Sequence, residues 1–478
     1  MKTLHHQPAV AHHSSLSGHR LTVSVRGPGF VLLALGLLVS GCRVGSDPQF
    51  LLLLSVDTLR ADRLGSYGSE RELTPNLDAL LRESVVFSTA YAPCSYTLPS
   101  VSTLMTGRYP EELGLYANTS RMGSTFATLA SVLQVNGWST GAAVSNYVMR
   151  EGIGFERGFE IYDATFPQRE VNRDMPERIA SDTTEAALAV TDRLLATSGS
   201  KLFLWAHYQD PHGPYSPPEG YRERFLEMER KAPGGDATVP VRDGHRGLGS
   251  IPTYQILEGS QEAAFYRAGY HGEIAYLDEE VGRLLAGLEA RGLLKSAIVV
   301  FTADHGEALG ENDYWFAHGE FLTDGLVRIP LAVRAPGLDP GQRDDPVGLV
   351  DVFPTLLALL GIHAPAGYPG RDVLSATPAA GDGELYLAGL RHTRVPRFGL
   401  VAGDYKYLVS HEDTGTEESL FRLGNEEHDL AAEEPDRLKA MGERLARFRQ
   451  RMKTVPETRQ RLSPAQRERL EQLGYVVE

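Results

Sequence analysis

The chain has 478 residues, enough for one large domain and a smaller one, and its 42% hydrophobic and 23% charged content is that of an ordinary globular protein. A formal charge of -15 excludes the broad basic surface that nucleic-acid binding needs. An anionic ligand would therefore have to be met by a local cation or basic cluster.

Arg20 and Arg26 precede an apolar run from Phe30 to Val39, too short to span a bilayer comfortably, and Val39-Ser40-Gly41-Cys42 follows. Basic, apolar and small-residue segments in that order form a secretory signal. The ending resembles a bacterial lipobox. Residues 1–42 are therefore expected to be a lipoprotein signal peptide. Cys42 would become a lipidated N-terminus that holds the chain on the periplasmic side of a membrane. Cys94 is the only other cysteine, which rules out an internal disulfide network.

Phe50 to Val56 is almost continuously apolar, as in a strand buried on both faces of a parallel sheet, and Asp57 ends it. Thr74 and Pro75 predict an N-cap and first helical residue, with Leu77, Leu80 and Leu81 as the apolar stripe. Pro99 and Gly107 predict the start and stop of a helix that places Thr97 just ahead of its N-terminus. Free N–H groups and the helix dipole there would favour negative charge.

Ser124 to Asn136 has helical spacing, and Trp138 to Val144 reads as a strand. Leu202 to Ala206 and Ile298 to Thr302 are further apolar runs, separated by a helical pattern from Glu273 to Arg291. Asp351 to Gly361 predicts a helix with Pro354 in its first turn. Strand patterns at 385–387, 398–401 and 405–409 precede charged helices near 434–452 and 463–473. The whole predicts an α/β fold with a mostly parallel central sheet flanked by helices over residues 43–365. A smaller C-terminal α+β subdomain would occupy 366–478.

Three apolar runs end in residues of catalytic type: Asp57, then His207, Asp210 and His212, then Asp304 and His305. Sites in open α/β sheets lie beyond the carboxyl ends of the strands.

Several blocks along the chain resemble, in order, those of the sulfatases of the alkaline phosphatase superfamily. They are Val56 to Asp62, Thr74 to Asp78, Pro99 to Arg108, Asp210-Pro211-His212-Gly213-Pro214-Tyr215, Thr302 to Glu307, Arg328 to Leu331, Val350 to Leu356 and Gly403 to Tyr407. The resemblance implies a hydrolase in which Asp57, Asp304 and His305 hold one divalent cation, with the Thr97 oxygen as a further ligand. The carboxylates and hydroxyl suit Ca²⁺ or Mg²⁺, and the imidazole shifts the preference toward Mn²⁺ or Zn²⁺. It also implies that His212 and His318 grip the ester and protonate its leaving group, with Arg108 and Asp210 on the substrate. Asp210, His212 and His318 have the chemistry for a second metal, as in phosphodiesterase relatives. The Asp210 to Tyr215 block is closer to the one-metal sulfatases.

The chain departs from the family pattern where the nucleophile belongs. Sulfatases carry there a cysteine or serine, matured to formylglycine, with Pro at +2 and Arg at +4. Here Thr97 is followed by Pro99 and Val101, and threonine cannot yield the aldehyde. Cys94 has Tyr96, not proline, at +2 and is expected to be a buried small residue. Thr58 replaces an acidic residue common beside the first aspartate, and Leu113 stands where relatives often carry histidine.

A formylglycine hydrate expels sulfate with its second hydroxyl, which threonine lacks. A threonine-phosphate is attacked at phosphorus more readily. The expected substrate is therefore a small-molecule or glycan ester, a phosphate mono- or diester or phosphonate ahead of a sulfate. Two alternatives are a periplasmic phospho-group transferase and a non-catalytic lipoprotein binding anionic glycans. Labelled palmitate fed to producing cells should mark the wild-type chain and not Cys42→Ala. Absence of label from the wild type would remove the anchor.

Overall fold

The computed structural model describes residues 50–472, less 170–175, 198–199, 243–245, 258, 365–366, 376–382, 390–394 and 461. The expected signal peptide and Cys42 lie outside the described residues.

The principal sheet has eight strands: β1 (Phe50–Val56), β2 (Val85–Phe87), β3 (Ser139–Val144), β4 (Ile161–Asp163), β5 (Leu202–Tyr208), β6 (Ile298–Ala303), β7 (Leu331–Arg334) and β8 (Gly341–Arg343). Their spatial order is β8-β2-β7-β6-β1-β5-β3-β4. The run β6-β1-β5-β3-β4 is parallel, and β7 enters antiparallel between β6 and β2. β1 is central and buried at every position, which is why its sequence is apolar without alternation.

Helices α1 (Pro75–Arg82), α2 (Thr97–Thr106), α3 (Ala180–Thr197), α4 (Ala263–Ala290) and α5 (Leu349–Leu359) accompany the sheet. α1 buries Leu77, Leu80 and Leu81. Thr74 does not cap it: its hydroxyl donates to Asp78 Oδ2 at 3.0 Å. The capping acceptor comes from another helix. Asp278 on α4 takes the Asn76 and Leu77 N–H groups at 3.0 and 2.8 Å.

α4 begins ten residues before the expected Glu273, because its early residues are mostly small or aromatic and buried on more than one side, so they show no apolar stripe. α5 begins at Leu349, so Pro354 lies inside the helix rather than in its first turn. α2 begins at Thr97 itself and stops at Gly107, whose φ of 65° suits glycine.

The C-terminal part is a four-stranded antiparallel sheet, β9 (Leu385–Ala388), β10 (Arg397–Ala402), β11 (Tyr405–Glu412) and β12 (Gly415–Arg422), followed by α6 (Pro435–Arg451). It shares an apolar cluster with Tyr91, Tyr109, Leu322, Leu326 and Val327 of the larger part. Lys406 on β11 is 1% exposed at its side chain and lies 2.8 Å from Asp324 and 2.6 Å from Glu426. Removing one member of a buried charge group strands the others in low dielectric. Lys406→Met should therefore lower the unfolding free energy by about 3–5 kcal/mol in urea titration. A change below about 1 kcal/mol would show that water reaches the cluster.

A candidate metal and ester site at the strand ends

Register places the first two acids. β1 and β6 pair in parallel with Val56 opposite Ala303, so the next residues, Asp57 and Asp304, emerge side by side. The ladder continues through them: the Asp57 N–H donates to Tyr208 O at 2.9 Å and the Asp304 N–H to Val56 O at 3.0 Å. Neighbouring strands are about 4.8 Å apart, so the carboxylates cannot avoid each other.

Each carboxylate has one oxygen held and one free. Asn146 donates to Asp57 Oδ2. Thr58 and His305 donate their N–H groups to Asp304 Oδ1 at 3.2 and 2.7 Å. Asp57 Oδ1 and Asp304 Oδ2 are buried and have no hydrogen-bond partner. His305 Nε2 lies 3.8 Å from the first and 3.7 Å from the second. Its Nδ1 faces Gly306 O at 2.9 Å, so the proton belongs on Nδ1 and the lone pair on Nε2. Thr97 Oγ1 is 3.4 Å from that Nε2.

Asp57, Asp304 and His305 form the one group of three metal-ligating residues among those described. Two orphaned carboxylate oxygens, a presented imidazole nitrogen and a hydroxyl oxygen are a donor set that fits a divalent cation. The electrostatics agree. Burial and then the Asp304 charge raise the Asp57 carboxyl well above its usual range. Burial pushes Asp304 up to about 8. Burial and then His318 hold His305 well below the usual imidazole value, so it is neutral and fit to ligate.

His318 and His212 stand beside this group. The His318 ring is centred 4.6 Å from that of His305 and 5.2 Å from that of His212. His212 Nδ1 faces Gly213 O at 2.8 Å, and its ring stacks on Tyr254. Burial opposes charge on His318, but Glu307 and Asp57 outweigh it and its pKa rises.

The other expected site residues lie differently. Asp210 is buried against Glu273 on α4, and the two share a hydrogen bond; burial pushes Asp210 up to about 6 and, with Asp210's charge, raises Glu273 further. Asp210, His212 and His318 do not gather as a second metal-ligating group among the described residues. Arg108 follows the far end of α2 from Thr97, roughly 15 Å along a ten-residue helix. It lies over the Tyr368 ring and 3.6 Å from Glu112. His207 falls inside β5, where its Nδ1 is 2.8 Å from the Ser55 hydroxyl of the neighbouring strand.

The α2 N-terminus offers fewer donors than expected. The Leu98 N–H is taken by Asn118 at 2.9 Å, Pro99 has none, and the Ser100 N–H goes to Tyr96 O at 3.1 Å. What reaches the site from α2 is the dipole and the Thr97 hydroxyl. Cys94 is fully buried with Sγ 3.3 Å from Ser100 Oγ, and burial pushes its thiol up to about 12.

Sequence reasoning missed Asn146 and gave Glu307 no role. Asn146 follows β3 after one serine, and Glu307 comes four residues after β6. The strand-end signal that picked out Asp57 and Asp304 applied to both. Gly306 beside Glu307 is required by close approach, since a Cβ there would meet Gly325 O at 2.1 Å.

The shifted acids make stability depend on pH when no cation is bound. Asp304's folded pKa exceeds its unfolded value, so the folded state holds the extra proton between about pH 4 and 8. Stability of chelated protein therefore falls as pH rises through that window. Asp304→Asn should make the fall shallower by up to about 1.4 kcal/mol per pH unit in denaturant titrations. Identical slopes in both chains would show that Asp304 titrates normally.

The chain matches the Sulfatase family over residues 49–362. Human iduronate 2-sulfatase is 29% identical over 424 residues, covering 71% of this chain and 75% of that protein. The choline-sulfatase of Rhizobium meliloti is 27% identical over 415 residues, covering 78% and 80%. A solved structure in complex with D-glucosamine-2-N,6-O-disulfate aligns with a TM-score of 0.69 at 19% identity, over 85% of this chain and 98% of that one. The phosphonate monoester hydrolase of Agrobacterium radiobacter aligns with a TM-score of 0.66 at 21% identity, over 84% and 95%. These last two likenesses concern the fold. The mostly parallel sheet, the acids at its strand ends and the match across 49–362 make this chain a member of the sulfatase family of ester hydrolases.

Proposed function

We propose that the protein is a metal-dependent hydrolase of phosphate mono- or diesters, or of phosphonate esters, with Thr97 as nucleophile. The observation that carries this reading is the Thr97 oxygen, 3.4 Å from His305 Nε2 at the buried start of α2 and beside the unpartnered oxygens of Asp57 and Asp304. Asp57, Asp304, His305 and Thr97 would hold the cation. When bound, it supplies positive charge to the ester oxygens and eases loss of the hydroxyl proton beside it.

Thr97 Oγ1 forms the new bond to phosphorus as the bond to the leaving alcohol breaks. The hydroxyl releases its proton to solvent, and His318 or His212 gives its own proton to the departing oxygen. Water then attacks phosphorus in the threonine ester and restores the hydroxyl. The α2 dipole favours the negative charge at each stage. Neutral His305 keeps its lone pair for the cation, while Asn146 and the Thr58 N–H keep the two carboxylates turned toward it.

The threonine is the reason for placing phosphorus ahead of sulfur, although the relatives named above are sulfatases. A threonine-sulfate has no second hydroxyl with which to expel sulfate, and water attacks sulfur slowly. The natural ester is proposed to be a small molecule or glycan derivative. The lipobox-like segment extends the proposal to a lipoprotein facing the periplasm.

A panel of 4-nitrophenyl phosphate, bis(4-nitrophenyl) phosphate, 4-nitrophenyl phenylphosphonate and 4-nitrophenyl sulfate tests the reading. Phosphorus esters should be turned over at least tenfold faster than sulfate. Thr97→Ala should lose about 10³-fold or more in kcat while keeping its cation. Fast sulfate turnover beside negligible phosphate turnover would overturn the phosphorus preference. Unchanged turnover in Thr97→Ala would overturn the nucleophile.

A further inference from the structure

We infer that Glu307 is a positioning residue, whose carboxylate fixes His318 Nδ1 and so presents Nε2 to the leaving-group oxygen. This rests on the reading of the site proposed above and assigns a task to a residue which that reading left idle.

Glu307 is fully buried, three residues beyond Asp304. One of its oxygens lies 3.1 Å from His318 Nδ1, and the other is buried with no hydrogen-bond partner. A buried carboxylate is costly unless paired with a donor, and the His318 ring faces it through Nδ1. Its backbone is held as well. Arg60 donates to Glu307 O at 3.1 Å, and the same guanidinium is clamped by Asp62 and by Glu311 at 2.7 Å. The far side of His318 is pinned too, since Tyr314 donates its hydroxyl to His318 O.

With Nδ1–H committed to Glu307, Nε2 is the one ring nitrogen left for a substrate. The ring already leans against His305 and His212, so that nitrogen has little room to choose a direction. A carboxylate behind an imidazole selects the tautomer and steadies positive charge on the ring until the proton is given up. During the reaction the proton moves from His318 Nε2 to the alkoxide leaving the phosphorus. The Nδ1–H stays on Glu307 throughout. Glu307 touches neither substrate nor cation.

The test uses the full chain loaded with Zn²⁺ or Mn²⁺, and leaving groups that differ in their need for a proton. On benzyl phosphate, Glu307→Gln should lower kcat about 30-fold with KM unchanged, and on 4-nitrophenyl phosphate less than about fivefold. His318→Gln should show the same contrast more strongly, and the double variant should lose no more than His318→Gln alone. Equal losses on both esters, additive losses in the double variant, or a loss of bound metal in Glu307→Gln would overturn the assignment. A His318→Gln variant with no leaving-group contrast would instead bring down the reading of His318 itself, and this inference with it.

A readout independent of turnover covers variants that fail to fold and substrates that fail to react. In ¹⁵N-histidine-labelled wild type, the ring of His318 should show a downfield, slowly exchanging Nδ1 proton. That signal should vanish in His318→Gln and move upfield in Glu307→Gln. A wild-type spectrum in which His318 carries its only ring proton on Nε2 would overturn the inference.

Discussion

Two carboxylates on adjacent parallel strands, each one residue past the point where the strands end, set the terms for the rest of this molecule. Asp57 and Asp304 are brought together by backbone register, not by attraction. In a dry interior their repulsion is relieved by a proton or by a cation. The neighbours decide which. Asn146 and the N–H groups of Thr58 and His305 bind the outer oxygens and leave the inner pair bare, facing a neutral imidazole. This pair shares a space with His305 and Thr97.

The sheet exists to hold that register. β1 is flanked by β5 and β6 and buried at every position, and the two ladders together fix where Asp57 and Asp304 emerge. The C-terminal sheet adds a second anchor. It packs on the segment that follows His318, and Lys406 ties it there through Asp324 and Glu426. His318 is thus held from both sides of the chain's long excursion between β6 and β7.

Much of this was legible in the amino-acid order, for a definite reason. Buried parallel strands are written as unbroken apolar runs, and a charged residue at the end of such a run has few harmless explanations. That signal reached Asp57, Asp304 and His305. It missed α3, whose Ala- and Thr-rich face carries little apolar periodicity, and β12, a polar edge strand exposed over its first half. Side-chain direction was the other gap. Arg108 stands beyond the far end of α2 from Thr97, over the Tyr368 ring, and Asp210 turns its carboxyl to Glu273 on a distant helix. Asn146 was within reach of the same strand-end rule, but a neutral amide after a serine attracts less notice than an acid.

Thr58 sits between Asp57 and Leu59 with a φ of 54°, in left-handed backbone that β-branched residues avoid. Its N–H is bound by Asp304, its carbonyl by Tyr270, and its hydroxyl is buried without a partner. Asp and Asn enter that region far more readily than threonine. The main chain here carries a strained conformation that no partner of the threonine hydroxyl offsets. An aspartate at this one position would enter the same backbone region at lower cost and set a second carboxylate next to Asp57.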